Sequence, residues 1–143
     1  MSEDLENMFR PPFHLRPKIR EISENLFKEI EVKTKDLGWC ILAHGSMERD
    51  LDILATPWTD EACTTQELVE IIRLTFAEFV KGKCYKSAVC VKKPFGRKAY
   101  NLYALTNEED LIVSCTAGAF PFIDLSIIDL RCHLEEEVIS NAR

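Results

Sequence analysis

The sequence predicts an α+β fold: a single-domain mixed β-sheet with two main helices packed on it. Three observations point there. Two segments repeat apolar residues at three- and four-residue spacing, the period of a helix face. Several short stretches alternate or run apolar between turn residues, as strands do. Their order is helix, two strands, helix, then several strands, which suits helices gathered on a sheet. The 143 residues fit one domain over residues 15–143, preceded by a flexible arm over residues 1–14.

The arm is acidic and then carries Pro11 and Pro12. The first helix is expected from Pro17, a residue suited to a first helical turn. Ile19, Ile22, Leu26 and Ile30 mark its buried face, and Gly38 is placed to end it in a left-handed conformation. Trp39 to Ala43 reads as a short buried strand, broken by Gly45-Ser46. Leu51 to Thr56 is the next strand, ended by Pro57. Thr64 and Glu67 fit a capping box for the second helix, whose core face carries Leu68, Ile71, Ile72, Phe76 and Phe79 and which Gly82 stops. Tyr85–Val91, Ala99–Leu105, Leu111–Cys115 and Pro121–Ile128 are further strands, with a turn at Lys93–Arg97.

The net charge is −6, which argues against a general nucleic-acid coat protein. Lys81 to Lys98 nevertheless holds seven basic residues and no acid. Such a block suits either an anionic ligand or plain solvation. The six cysteines form no Cys-x-x-Cys pair and read as small hydrophobes in a reducing, cytoplasmic setting. Met1–Arg10 lacks the apolar core of a signal peptide. No stretch approaches the ~20 apolar residues of a membrane span.

Residues 44–54, His-Gly-Ser-Met-Glu-Arg-Asp-Leu-Asp-Ile-Leu, are the most informative part of the chain. On a strand, Asp50 and Asp52 point the same way, with Cα atoms roughly 6.5 Å apart. Two carboxylates that close repel by about 2–3 kcal/mol at an effective dielectric of about 20. A divalent cation removes that cost, and Mg²⁺ takes one or two carboxylates together with substrate phosphates. Asp124 stands within a second apolar strand, Phe122-Ile123-Asp124-Leu125-Ser126. A carboxylate there is expected to be paired, with Arg97 or Arg131, or to coordinate an ion. Were the two strands neighbours, three acids would converge in a way that suits phosphoryl or nucleotidyl transfer. His44 beside Gly45 is a weaker candidate, and Trp39 and Trp58 read first as packing residues.

A Gly-Ser turn, an Asp-x-Asp strand and a later isolated Asp on another strand resemble the nucleotidyltransferase superfamily that includes the polymerase-beta-like enzymes. The string from His44 to Asp52, then Thr56-Pro57-Trp58, Lys93-Pro94-Phe95-Gly96-Arg97 and Phe122 to Ser126, is similar to small phage and prophage proteins carrying this signature. The resemblance covers residues 38–131. It implies a nucleotidyltransferase-like fold and Mg²⁺ (or Mn²⁺) held by Asp50, Asp52 and Asp124. It implies that Gly45 and Ser46 approach the phosphates of a nucleoside triphosphate, and that Asp124 activates a hydroxyl acceptor. Charge adds Arg49, Lys93 and Arg97 as phosphate contacts. The acceptor, a protein or nucleic acid, would be held by a partner, by a second copy in a homodimer or by the surface around residues 81–98. The chain departs from the superfamily in having only Met47, Glu48 and Arg49 between Ser46 and Asp50. The alternative is a catalytically degenerate module that binds a nucleotide or protein partner without turnover.

Overall fold

The structure is a computed structural model and describes residues 16–48, 50–86, 91–92, 94–105 and 122–131. Helix α1 (Arg16–Thr34) forms where the apolar periodicity places it, burying Ile19, Ile22, Leu26 and Ile30. It stops four residues before Gly38, which takes φ +83° in the link to strand β1. Strand β1 (Trp39–His44) runs one residue further than the sequence indicates, so His44 belongs to the strand. Strand β2 (Leu51–Pro57) follows after a tight turn.

Helix α2 (Thr65–Val80) is capped by Thr64, whose hydroxyl accepts from the Glu67 backbone N–H at 3.2 Å. Glu67 returns the contact by accepting from the Thr64 hydroxyl, so the side chains close the cap reciprocally. At the other end Lys81, not Gly82, takes the left-handed position at φ 52°. The Gly82 N–H then reaches back to the Ala77 carbonyl at 3.1 Å. The buried face of α2 is Leu68, Val69, Ile72, Phe76 and Val80, with Thr65 and Thr75; Ile71 and Phe79 are only half-buried.

Around the expected strand at Tyr85–Val91 the described residues form β3 (Lys83–Lys86) and β4 (Val91–Lys92); residues 87–90 lie outside the described residues. A 3₁₀ turn at Pro94–Gly96 then leads into β5 (Arg97–Leu105), which begins two residues earlier than the alternation suggests. Strand β6 (Phe122–Ile128) completes the sheet. The expected strand at Leu111–Cys115, the arm and the chain end lie outside the described residues.

The sheet is mixed, with order β1-β2-β6-β5-β3 and β4 also paired to β5. Only β2 and β6 run parallel; the other pairs are antiparallel. The α+β class and the two-helix, one-sheet plan are those the sequence predicts. Odd-numbered residues of the two central strands (Leu51, Ile53, Ala55, Ile123, Leu125, Ile127) join Leu26, Ile30, Leu68, Ile72 and Phe76 in one core. The even-numbered residues therefore face away from that core. Among the described residues, no helix is long and apolar enough to cross a membrane.

Candidate functional site

The parallel pairing of β2 and β6 sets Asp52 directly beside Asp124. Neighbouring strands lie about 4.8 Å apart, so two carboxylate-bearing backbones sit side by side. The row extends further. His44 on β1 is the register partner of Asp52, and Asn101 on β5 is the register partner of Asp124. Four adjacent strands thus present His44, Asp52, Asp124 and Asn101 in one line across the sheet. The line lies on the face opposite the core, with Asp52 and Asp124 half-buried and His44 and Asn101 exposed. Asp50 stands two residues before Asp52, just ahead of β2, and is also half-buried.

The turn between β1 and β2 meets the same row. Gly45 has φ +82°, and a Cβ built there would lie 3.1 Å from Asp52 Oδ2. The backbone of the turn therefore runs against the Asp52 carboxylate, an approach that a side chain would obstruct. The Ser46 hydroxyl accepts from the Glu48 N–H at 3.3 Å, and Met47 takes φ 59°. A short turn of this kind leaves backbone N–H groups on its rim.

Other sequence candidates fall elsewhere. Arg97 is on the same face of β5, but its register partner is Ile128, four residues from Asp124 along β6. That is about 13 Å of strand, beyond direct contact with the row. Arg49 and Lys93 lie outside the described residues. Arg131 does not pair with Asp124. It pairs with Asp129, the one carboxylate among the described residues that is buried.

The Asp129–Arg131 arrangement is a complete polar network at the opposite end of β6. The Arg131 Nε donates to Asp129 Oδ1 at 3.1 Å, and Nη2 donates to Oδ2 at 3.2 Å. The rest of the guanidinium donates to the carbonyls of Asp60, Ala62 and Cys63. The Thr65 hydroxyl donates to Asp129 Oδ2 at 3.0 Å, and the guanidinium lies 5.7 Å from the Trp39 ring centroid. This network ties β6 to the segment joining β2 and α2. Sequence reasoning passed over Asp129, Asn101 and the register of His44. Asn101 is accessible from the alternation of β5, whereas nothing local in the sequence marks Asp129 as buried.

The cysteines within the described residues are free thiols. Burial pushes the Cys84 thiol up to about 12 and also raises that of Cys63, so neither is poised as a thiolate. Among the described residues, no three His, Cys, Asp or Glu side chains converge as a metal cage. The donor set in the row is two aligned carboxylates, with an imidazole and an amide at its ends.

No family model matches the chain, and no curated protein matches it. Among solved structures, the chain is similar to the Cid1 poly(U) polymerase in a structure with MgGTP bound, at a TM-score of 0.39 and 13% identity. The similarity covers 82% of this chain and 33% of that one, so the chain spans about a third of that protein's length.

Proposed function

We propose that the chain is a minimal nucleotidyltransferase-like protein that moves a nucleotidyl group from a nucleoside triphosphate to a hydroxyl acceptor. The observation that carries this reading is the register of Asp52 with Asp124 on the open face, with the Gly45 turn against Asp52. Two aligned carboxylates fit an ion that takes one or two protein carboxylates and fills its remaining positions with water and phosphate oxygens. Asp52 and Asp124 would hold Mg²⁺ or Mn²⁺, and Asp50, two residues earlier in the chain, would complete the acidic set once a cation draws it in. When bound, the ion neutralises phosphate charge and acidifies a nearby hydroxyl.

The chain's own residues supply the rest. N–H groups of the Gly45–Ser46 turn donate to phosphate oxygens, helped by the Ser46 hydroxyl. Asp124 accepts the proton of the acceptor hydroxyl at a carboxylate oxygen. Arg49 and Lys93 neutralise phosphate charge. Arg97, further along the face, meets only the distal part of a bound substrate.

A second reading has its own observation. Only three residues separate Ser46 from Asp50, and a turn that short encloses little of a triphosphate. A module that binds a nucleotide or a protein without turnover would retain the row and lack the product. Thermal-shift titration with Mg²⁺ or Mn²⁺, with and without each of the four common nucleoside triphosphates, tests the shared site. A hundredfold excess over Kd stabilises the native state by about 2.7 kcal/mol. The expected result is a metal-dependent nucleotide shift in the wild type that Asp52→Asn abolishes. Absence of any shift in the wild type would overturn both nucleotide readings. A shift without pyrophosphate release in the presence of acceptor mixtures would select the binding module.

A further inference from the structure

The carboxylate pair stands at one end of a seam. Strands β2 and β6 run parallel, so both lead away from Asp52 and Asp124 in the same direction. Six residues on they reach Trp58 and Leu130, about 20 Å away at roughly 3.3 Å per residue. Both side chains are strongly exposed, Trp58 at 70% and Leu130 at 59%. They border a pocket of about 430 Å³ that Thr56 and Arg131 also line. The pocket is held in shape by its backbone. Arg131 donates to the carbonyls of Asp60, Ala62 and Cys63, which fastens the segment after β2 to the end of β6. The Trp58 N–H donates to the Gly38 carbonyl at 3.0 Å. Walls fixed in this way need little ordering when a ligand arrives.

Between its two ends the seam presents Leu54 beside Ser126, then Thr56 and Ile128, all half-buried on the open face. Arg97 is the register partner of Ile128 and flanks the seam at that point. None of these open-face positions carries an acid; Asp60 enters only in the lining of the pocket.

We infer that this seam seats the hydroxyl acceptor and that the acceptor is a single-stranded nucleic acid. The inference rests on the nucleotidyl-transfer reading, which puts the acceptor hydroxyl at Asp124. An acceptor that also reaches the pocket spans about 20 Å, or about six nucleotides at roughly 3.4 Å per stacked nucleotide. A small molecule is too short for both ends. Single strands are held by cations that track the backbone and by aromatic side chains that stack the bases. Arg97 meets a phosphodiester midway along the seam, and Trp58 stacks a base that Leu130 borders. The hydroxyls of Ser126 and Thr56 lie along the path, suited to phosphate or sugar oxygens. A cation in a stretch free of acids complements a repeating anion better than it does a peptide, so charge favours the polynucleotide.

Fluorescence anisotropy of a labelled ten-nucleotide single strand of mixed sequence, titrated with the full chain, tests this. It is run without metal or triphosphate, so it does not depend on the carboxylates, and Asp52→Asn should bind as the wild type does. Trp58→Ala should weaken binding about tenfold. Arg97→Gln should weaken it less and lower the salt slope by about 0.7. A second readout is the emission of Trp58, since the other tryptophan, Trp39, is buried. The strand should quench the wild type and leave Trp58→Phe unquenched. Melting temperatures of the variants check that each is folded. No binding up to ~100 µM overturns the inference. So does binding that neither Trp58→Ala nor Arg97→Gln weakens, since it would use another face. A serine-rich peptide that quenches Trp58 where the oligonucleotide does not overturns it in favour of a protein acceptor. These failures leave a metal-dependent nucleotide shift standing, whereas a wild type without that shift overturns the acceptor role together with the reading it rests on.

Discussion

The two ends of the parallel β2–β6 pair carry acids in opposite circumstances. At one end Asp52 and Asp124 stand side by side, half-buried on the open face. At the other end Asp129 is buried and saturated by Arg131, the Thr65 hydroxyl and the Arg131 backbone N–H. A buried charge has to be matched by donors or it costs several kcal/mol. The Asp129 end therefore serves the fold. The Asp52–Asp124 end places two like charges in register on the open face, where their repulsion opposes folding. Under the proposed function its acids serve a bound cation.

The largest expected effect breaks the buried end. Asp129→Ala leaves the Arg131 guanidinium without its carboxylate and the Thr65 hydroxyl without its acceptor. The loss should be about 3–5 kcal/mol, which for a chain of this size lowers the melting temperature by about 10 °C or more. Chemical denaturation of the variant checks this. A loss below about 1 kcal/mol would mean that the network is dispensable and the contrast between the ends is false.

Two glycines sharpen the comparison, because their backbones match and their surroundings do not. Gly38 and Gly45 have φ of +83° and +82°. A Cβ at Gly38 would lie 2.8 Å from Ala62 Cα and 2.7 Å from Thr59 Cγ2, inside the connection that Arg131 fastens. Among the described residues, a Cβ at Gly45 meets only the Asp52 carboxylate. Gly38→Ala should cost about 3 kcal/mol, as left-handed strain and overpacking add. Gly45→Ala should cost about 1 kcal/mol, close to the strain alone. It should also displace Asp52 and weaken any metal-dependent nucleotide shift, which Gly38→Ala, once folded, should leave intact. Equal costs for the two would show that crowding at Gly38 relaxes.

Asp52→Asn and Asp124→Asn act on the open end and should alter stability by about 1 kcal/mol or less. Removing one of two neighbouring negative charges relieves repulsion, so a small gain is as expected as a small loss. Either variant should abolish the metal-dependent nucleotide shift. A severe loss of stability in both would make the row a structural element like Asp129.

How far this contrast could be read from sequence follows from the kind of information each part needs. The helices were legible because Ile19, Ile22, Leu26 and Ile30, and Leu68, Ile72 and Phe76, carry the period of a buried face within one segment. The Gly-Ser turn and the Asp50–Asp52 spacing are local too. The register that joins Asp52 to Asp124 is not, because β2 and β6 are far apart in the chain and nothing local dictates their pairing. Asp124 sits in an apolar strand and is half-buried on the open face, while Asp129, just past the strand, is buried and paired. Alternation assigns a face, but only the tertiary arrangement says which face is covered. The sequence offers Arg97, Arg131 or an ion to Asp124; Arg131 serves Asp129 instead, because the chain turns immediately after Ile128.

A third carboxylate extends the comparison to full exposure and gives the smallest expected effect. Glu70 on α2 pairs with Arg73 one turn on, and Arg73 Nη1 also donates to the Cys84 carbonyl at 3.0 Å. The hydrogen bond from Arg73 holds the Glu70 carboxyl below its ordinary value. A carboxyl lowered in the folded state contributes stability above its unfolded pKa. That contribution is lost as the pH falls through the lowered folded value. Glu70 is more than half exposed, so solvent and salt screen the pair and the gain is small. Glu70→Gln should therefore be slightly less stable than wild type at neutral pH, with the two melting curves merging in acid. Added salt should also narrow the gap at neutral pH. A gap that persists in acid would show that packing, not charge, carries the Glu70 contribution. Asp129 would respond differently, since its partners are shielded from salt. An ionic-strength series at neutral pH on Glu70→Gln and Asp129→Ala therefore separates an acid that only decorates the surface from one that holds β6 in place.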